Sequence, residues 1–404
     1  MPDPSAHPSA AAATARYAKR AKGVPASSPA GEPAGMISFG SGDAYPEALP
    51  DLTPMALLAA GAFRRETLQY APRFGLTELR EWIAAYLEGE GIRVTPDAVL
   101  VVHGAKQGIE LVCKLFLDPG DAVVVTRPTY QSALGIFRGW EVEFVEIELD
   151  AEGLDVDALE TRLRERERAG RPVPKLVYDV PEFHNPTGVT LSRRRRERLL
   201  ELADRHDFFV VEDDPYRRIR FEGTAVPPIQ ALDPSRRTIG LGTFAKLVAP
   251  GLRVGWTVAS PDIVARMAAL KADGGSCPFT QRLILEYCRA GMFEPQLRDR
   301  VNLYRGHRDV MVRALREQLP QGRFDVPSGG YYLWLGLPAG TDTDRLLPVA
   351  KRRGVDFLPG SRFYATPGPP HHLRLAYSHA SPSAIIEGVR HLREAIGEMR
   401  GPDS

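Results

Sequence analysis

Five short apolar runs, each followed at once by a cluster of polar or turn-forming residues, constrain this chain more than any other feature. The run at 99–102 gives way to His103-Gly104-Ala105-Lys106, the run at 123–125 to Arg127-Pro128-Thr129-Tyr130, and the run at 176–178 to V-P-E-F-H-N-P-T-G at 180–188. The run at 208–211 leads into E-D-D-P-Y at 212–216, and a fifth at 238–241 leads to a lone lysine, Lys246, ahead of an Ala-Pro-Gly-Leu-Arg turn. Short runs that are apolar without alternation read as strands buried on both faces. Ile109, Val112 and Phe116 mark a helical stripe after the first of them. Strand, turn and helix in repetition predict a mostly parallel α/β sheet flanked by helices. All five polar clusters then fall at the carboxyl ends of strands, the edge where open α/β sheets build ligand sites.

The rest of the chain frames this unit. Residues 1–35 are rich in Ala, Pro, Ser and Gly, with Tyr17 as their only aromatic. Such a segment buries too little surface to offset its ordering entropy, so disorder is expected. Leu79, Ile83, Tyr86 and Leu87 predict an amphipathic helix over about 76–89, entered from a loop carrying Tyr70, which on its own reads as a half-buried packing residue. After Gly255 the pattern reads as helical, with a long charged helix at about 296–319. A hairpin-like apolar segment at 324–337 and H-L-R-L-A-Y-S at 372–378 follow. The last helix has Ser381 as N-cap, Pro382 at the first turn, and Ile385, Val389, Leu392 and Ile396 on one face. This part reads as a smaller α+β domain.

Composition narrows the function classes. A formal net charge of +1 over 404 residues argues against a dedicated nucleic-acid or anionic-membrane surface. The one basic run, Arg193 to Arg196, is followed by Glu197, Glu201 and Asp204 and reads as a solvated helix face. Cys113, Cys277 and Cys288 have neither metal-site nor C-x-x-C spacing, which points to a reducing, cytoplasmic compartment and no metal. No apolar run reaches membrane-span length, and the N-terminus lacks the order of a signal peptide.

The polar clusters carry specific chemistry. Gly104-Ala105-Lys106 opens a helix directly after a strand, so free N–H groups and the positive helix end suit a phosphate. Arg253 and Thr243 lie where a cation and a hydroxyl would serve the same group. Burial disfavours an ammonium ion, so a lysine at the position of Lys246 suits a Schiff base with an aldehyde. Asn185 and Tyr216 can hydrogen-bond a phenolic oxygen, Asp213 can pair with a protonated ring nitrogen, and Tyr130 offers a face for stacking. Each alone also suits a structural role: Asn185 in a turn, Asp213 as a loop cap, Tyr130 in the core.

Taken together, G-A-K-Q, R-P-T-Y, H-N-P-T-G, E-D-D-P-Y, G-T-F-A-K-L-V-A-P-G-L-R-V-G-W, P-G-S-R-F-Y and H-L-R-L-A-Y-S resemble, in order and spacing, the class I/II aminotransferases of the aspartate-aminotransferase-like fold type I. The resemblance spans about residues 37–398 and is nearest to the 2-aminoadipate and branched-chain or aromatic aminotransferases. It implies pyridoxal 5′-phosphate as cofactor, held as an internal aldimine by Lys246 over Asp213. Asn185 and Tyr216 are then expected on the ring oxygen, Tyr130 on the ring face, and Gly104, Ala105, Lys106, Thr243 and Arg253 around the phosphate. Arg374, together with Asn185, is expected to bind the substrate carboxylate. Tyr70 is expected to reach the partner subunit's cofactor, which implies a homodimer with shared sites.

The implied division is a segment at 36–75 belonging to the small domain and the interface loop, a large cofactor-binding domain at 76–300, and a small domain at 301–404. No winged-helix pattern precedes residue 37, so an enzyme is expected rather than the related regulators, and Lys246, Asp213 and Arg374 together speak against a non-catalytic sensor. The expected reaction moves an amino group from an α-amino acid to a 2-oxo acid. The same residues also serve a lyase or replacement reaction that expels a β or γ side-chain leaving group. Two departures from the family pattern, Gly274-Gly275-Ser276-Cys277 and the Pro/Ser/Gly-rich N-terminus, bear on substrate choice.

Overall fold

A computed structural model describes residues 17, 18, 20 and 35–400. The disorder expected for residues 1–35 falls almost wholly outside the described residues. The strands are β1 (Ile37–Ser38), β2 (Val99–Val102), β3 (Ala122–Arg127), β4 (Glu143–Asp150), β5 (Gly153–Leu154), β6 (Leu176–Asp179) and β7 (Phe209–Asp213). They continue as β8 (Thr238–Thr243), β9 (Gly255–Val258), β10 (Tyr332–Gly336), β11 (Val355–Asp356), β12 (Leu358–Pro359) and β13 (His372–Ala376).

The five apolar runs form β2, β3, β6, β7 and β8 of one eight-stranded sheet ordered β2-β9-β8-β7-β6-β3-β4-β5. Strands β4, β3, β6, β7 and β8 are mutually parallel, β9 is antiparallel to β8, and β2 is antiparallel to β9. Two reversals restore direction, so β2 ends on the same edge as β8. Val99, Val101, Val123, Val124, Val177 and Val210 are all fully buried. At roughly 1.5–3 kcal/mol for each such side chain, burial on both faces holds the sheet together. Helices Ala105–Phe116, Gln131–Gly139, Val156–Arg168 and Arg193–His206 connect its strands.

Three expectations need correction. The chain after Gly255 is not all helical: Gly255–Val258 is β9, placed between β8 and β2, and its four residues are too few to declare a period. Among the described residues, the segment at 324–337 is closed only by the bridge between Gly336 and Arg323, the residue just before it. Its strand β10 instead pairs antiparallel with β13, with Trp334 opposite Arg374. Of the basic run, Arg193 and Arg194 are solvated, but Arg196 is fully buried and paired to Glu182 at 2.8 Å.

The second layer is built from the chain's ends. Strand β1 pairs in parallel with β11, while β10, β13 and β12 form a three-stranded sheet. The Phe293–Gln318 helix packs along the final helix, Pro382–Arg400, whose Ile385, Val389, Leu392 and Ile396 are buried as their spacing predicts. Ser381 caps that helix, its Oγ accepting from the Ala384 N–H at 3.2 Å. Arg374 on β13 is thereby carried to the carboxyl edge of the large sheet, where it meets Asn185. Among the described residues no helix is long and apolar enough to cross a membrane.

Candidate active site

The carboxyl edge of the large sheet encloses a cavity of about 280 Å³. Ala105 and Lys106 enter it after β2, Tyr130 after β3, and Asn185 after β6. Asp213 and Tyr216 come from the end of β7, and Thr243, Lys246 and Arg253 from the segment between β8 and β9. Gly104 stands just behind: its φ is +81°, and a Cβ there would lie 2.5 Å from Arg253 Nη2. Only glycine meets both demands without strain. Two further expected residues do not line the cavity. Arg374 stands behind Asn185, donating from Nη1 to Asn185 Oδ1 at 3.0 Å. Tyr70 is 84% exposed, so its reading as a half-buried packing residue fails.

Lys246 lies on a four-residue helical turn, Phe244–Leu247, rather than in the loop its sequence setting suggests. F-A-K-L is too short to show a period. Thr243 caps the turn, accepting from the Ala245 N–H at 3.1 Å. The lysine's backbone is fixed from two sides, because its carbonyl accepts from the Tyr331 hydroxyl at 2.9 Å and from Arg300 Nη1 at 3.2 Å. Its Nζ donates to the Gly42 carbonyl at 2.6 Å and lies 5.2 Å from the centre of the Tyr331 ring.

At the β2 end, Lys106 and Arg253 share the cavity and make no ion pair among the described residues. Arg253 is held by the Pro250 and His103 carbonyls at 3.2 and 3.4 Å. Burial, and then the charges of Arg253 and Lys246, push the Lys106 ammonium below its ordinary range. Gathered cations beside the N-terminus of the Ala105–Phe116 helix form a cup suited to an anion.

At the β7 end, Asp213 is buried and accepts from the Tyr178 hydroxyl at 2.6 Å through Oδ2, while Oδ1 is buried with no partner. Burial raises its carboxyl to about 6, against the opposing pull of the Tyr178 hydrogen bond. A cationic group that approaches Oδ1 would favour the ionised form against that burial. Tyr216 and Tyr332 meet hydroxyl to hydroxyl at 3.3 Å. Burial, then Tyr332, raises the Tyr216 phenol. Burial acts in the same direction on Tyr332, but Arg374, Lys246 and the Tyr216 hydrogen bond outweigh it and leave that phenol below its ordinary value. The Arg374 guanidinium lies 3.9 Å from the Tyr332 ring centre and donates to the Gly40 carbonyl at 2.6 Å.

The loops that carry Asn185 and Tyr216 are joined beneath the cavity. Glu182 is fully buried and takes Arg196 at 2.8 Å, Arg220 at 2.7 Å and Arg217 at 3.4 Å. Arg217 and Arg220 tie the 180–188 segment to the segment after β7, and Arg196 ties it to the Arg193–His206 helix.

Sequence reasoning missed Tyr178, Tyr332 and Asp43. The first two meet their partners across 35 and 116 residues of chain. Asp43 lines the cavity from the Gly/Pro-rich stretch after β1, where its glycine neighbours give no period to read.

Comparison with known proteins places this geometry. The sequence profile of aminotransferase class I and II matches residues 34–392, and the chain belongs to that family. It is 38% identical over 376 residues to aromatic-amino-acid aminotransferase 1 of Thermococcus litoralis, covering 91% of this chain and 89% of that one. A solved kynurenine aminotransferase of Pyrococcus horikoshii, in complex with PMP, superposes with a TM-score of 0.90 at 35% identity, covering 96% of this chain and 98% of that one. An alpha-aminoadipate aminotransferase of Thermus thermophilus, complexed with N-(5′-phosphopyridoxyl)-L-leucine, gives 0.85 at 32% identity over 91% and 93%. The chain is therefore a fold type I, pyridoxal-phosphate-dependent aminotransferase, and amino-group transfer is chosen over side-chain elimination. The cavity fits that cofactor: a cup of unpaired cations suits a phosphate, and the orphaned Asp213 Oδ1 suits a protonated pyridine nitrogen.

Proposed function

We propose that Lys246 is both the cofactor anchor and the proton carrier of this aminotransferase. The observation that carries the reading is the cavity Lys246 shares with the partnerless Oδ1 of Asp213. When bound, pyridoxal 5′-phosphate supplies an aldehyde that condenses with amines and a pyridine ring that draws electrons from the bonds at Cα. Gly104, Ala105, Lys106, Thr243 and Arg253 hold the phosphate, and Asp213 keeps the ring nitrogen protonated. Asn185 and Tyr216 hold the ring oxygen, and Tyr130 lies against the ring face. Arg374 receives the substrate α-carboxylate, with Asn185 fixing the guanidinium. With the carboxylate held, Lys246 Nζ would take the proton from Cα and deliver it to the carbon contributed by the cofactor's aldehyde. Donor amino acid and acceptor 2-oxo acid use the same residues in turn.

Assembly belongs to the same reading. Leu57, Leu68 and Tyr70 are 69%, 75% and 84% exposed, an apolar surface of the kind that marks a protein interface. We assign it to a homodimer in which Tyr70 enters the partner's site. Residues 36–75 then serve the small domain and this interface, 76–300 form the large domain, and 301–404 the small one. Three free thiols support a cytoplasmic location.

The test is chemical. Borohydride reduction of the cofactor-loaded protein, followed by peptide mapping, should mark Lys246, and Lys246→Ala should give no reducible adduct. An adduct in the variant would make another lysine the anchor. Addition of an amino acid should convert the aldehyde chromophore to the amine form, and a 2-oxo acid should restore it.

A further inference from the structure

We propose that Asp43 selects the substrate class, favouring α-amino acids whose side chain ends in a cation over those that end in a second carboxylate. The inference rests on the role given to Arg374 above. The segment carrying Asp43 lies across both groups that handle the substrate, because the Gly40 carbonyl takes Arg374 Nη2 at 2.6 Å and the Gly42 carbonyl takes Lys246 Nζ at 2.6 Å. Asp43 is the next residue and lines the cavity. Its backbone is pinned by Ser378 Oγ, which donates to its carbonyl at 2.7 Å. Its carboxylate takes the Ser41 hydroxyl at 2.5 Å and makes no ion pair among the described residues.

Charge accounting then decides the direction. Lys106 and Arg253 serve the phosphate, Lys246 the reacting amine, Arg374 the α-carboxylate and Asp213 the ring nitrogen. Among the described lining residues, Asp43 is the one charged group left without a task. A substrate whose side chain ends in a carboxylate finds no uncommitted cation among this chain's described lining residues and meets a like charge instead. An ammonium or guanidinium meets an unpaired carboxylate. Asp43 is exposed, so water screens it until a substrate fills the cavity, and the effect is graded rather than absolute.

The test uses three donors of similar length, L-lysine, L-norleucine and L-2-aminoadipate, on the cofactor-loaded protein, with kcat/KM measured for each half-reaction. Wild type should rank them in that order. Asp43→Asn should lower the lysine-to-aminoadipate ratio by about tenfold, and Asp43→Glu, which keeps the charge, should preserve the order. Retention of the cofactor chromophore shows that both variants are folded. A wild type that prefers aminoadipate to norleucine overturns the inference. So does an Asp43→Asn ratio within twofold of wild type, or failure of L-lysine, L-ornithine and L-arginine where other amino acids react. If no amino acid converts the cofactor, the activity itself, and not this assignment, is what fails.

Discussion

Tyr178 donates its hydroxyl to one oxygen of Asp213 at 2.6 Å and leaves the other oxygen, Oδ1, buried and open to the cavity. The phenol thus orients the carboxylate and lowers its proton affinity, while burial raises it to about 6. A folded-state value above the unfolded one contributes stability that is present below about pH 4 and lost as pH rises through 6. In the cofactor-free protein Asp213 therefore destabilises the fold at neutral pH, and a protonated pyridine nitrogen relieves that cost.

The prediction is a linked titration. Cofactor affinity should fall as pH drops below about 6, because the carboxyl must then release its proton to pair with the ring. Tyr178→Phe removes a hydrogen bond that favours the ionised form, so the midpoint should move to higher pH. Asp213→Asn should bind weakly with no such midpoint. Absorbance titrations of the cofactor across pH check all three, and an unmoved midpoint in Tyr178→Phe would separate the phenol from the carboxylate.

Glu182 makes a stability prediction. Replacement by Gln leaves Arg196 fully buried without its carboxylate and weakens the contacts of Arg217 and Arg220. Breaking one partner of a buried pair costs about 3–5 kcal/mol. Chemical denaturation of Glu182→Gln should show a loss in that range. A loss below about 1 kcal/mol would mean that the three arginines find other acceptors.

Arg374 is held by Asn185 Oδ1 and the Gly40 carbonyl and sits over the Tyr332 ring, with its Nε buried and unpartnered. A lysine cannot reproduce the planar fork or the stacking. Arg374→Lys should lose about 2–5 kcal/mol in kcat/KM for amino acids, mostly through KM, with cofactor absorbance retained. An unchanged KM would remove Arg374 from the substrate site.

These predictions divide the site by how far it could be read from sequence. The cofactor shell was legible because each member follows a continuous apolar strand, so Asn185, Asp213 and Lys246 fall on one edge once the sheet is parallel. The layer behind it was not. Tyr178 lies inside β6 and looks like one more buried strand residue, and Tyr332 depends on β10 pairing with a strand some 40 residues later. Strand β4 reads E-F-V-E-I-E-L-D, yet its polar residues hid it among the charged stretches around it. Arg196 looked solvated because its neighbours are, and only the burial of Glu182 draws it inward.

Tyr70 carries the last prediction. On the isolated chain it is 84% exposed and lies against Gly274, where a Cβ would stand 3.8 Å from its ring. Gly275, at φ +99°, packs on Ala71. Gly274 and Gly275 thus lie against the loop that presents Tyr70, whose hydroxyl has no partner in its own subunit among the described residues. In a C₂ dimer this loop would enter the neighbouring site. Lys246→Ala and Tyr70→Phe proteins should each be impaired, and subunit exchange between them should create dimers with one site carrying both lesions and one carrying neither. Activity recovered after verified exchange, up to about a quarter of wild type for random mixing of equal amounts, is the expected result. No recovery would mean that each site is completed within one chain.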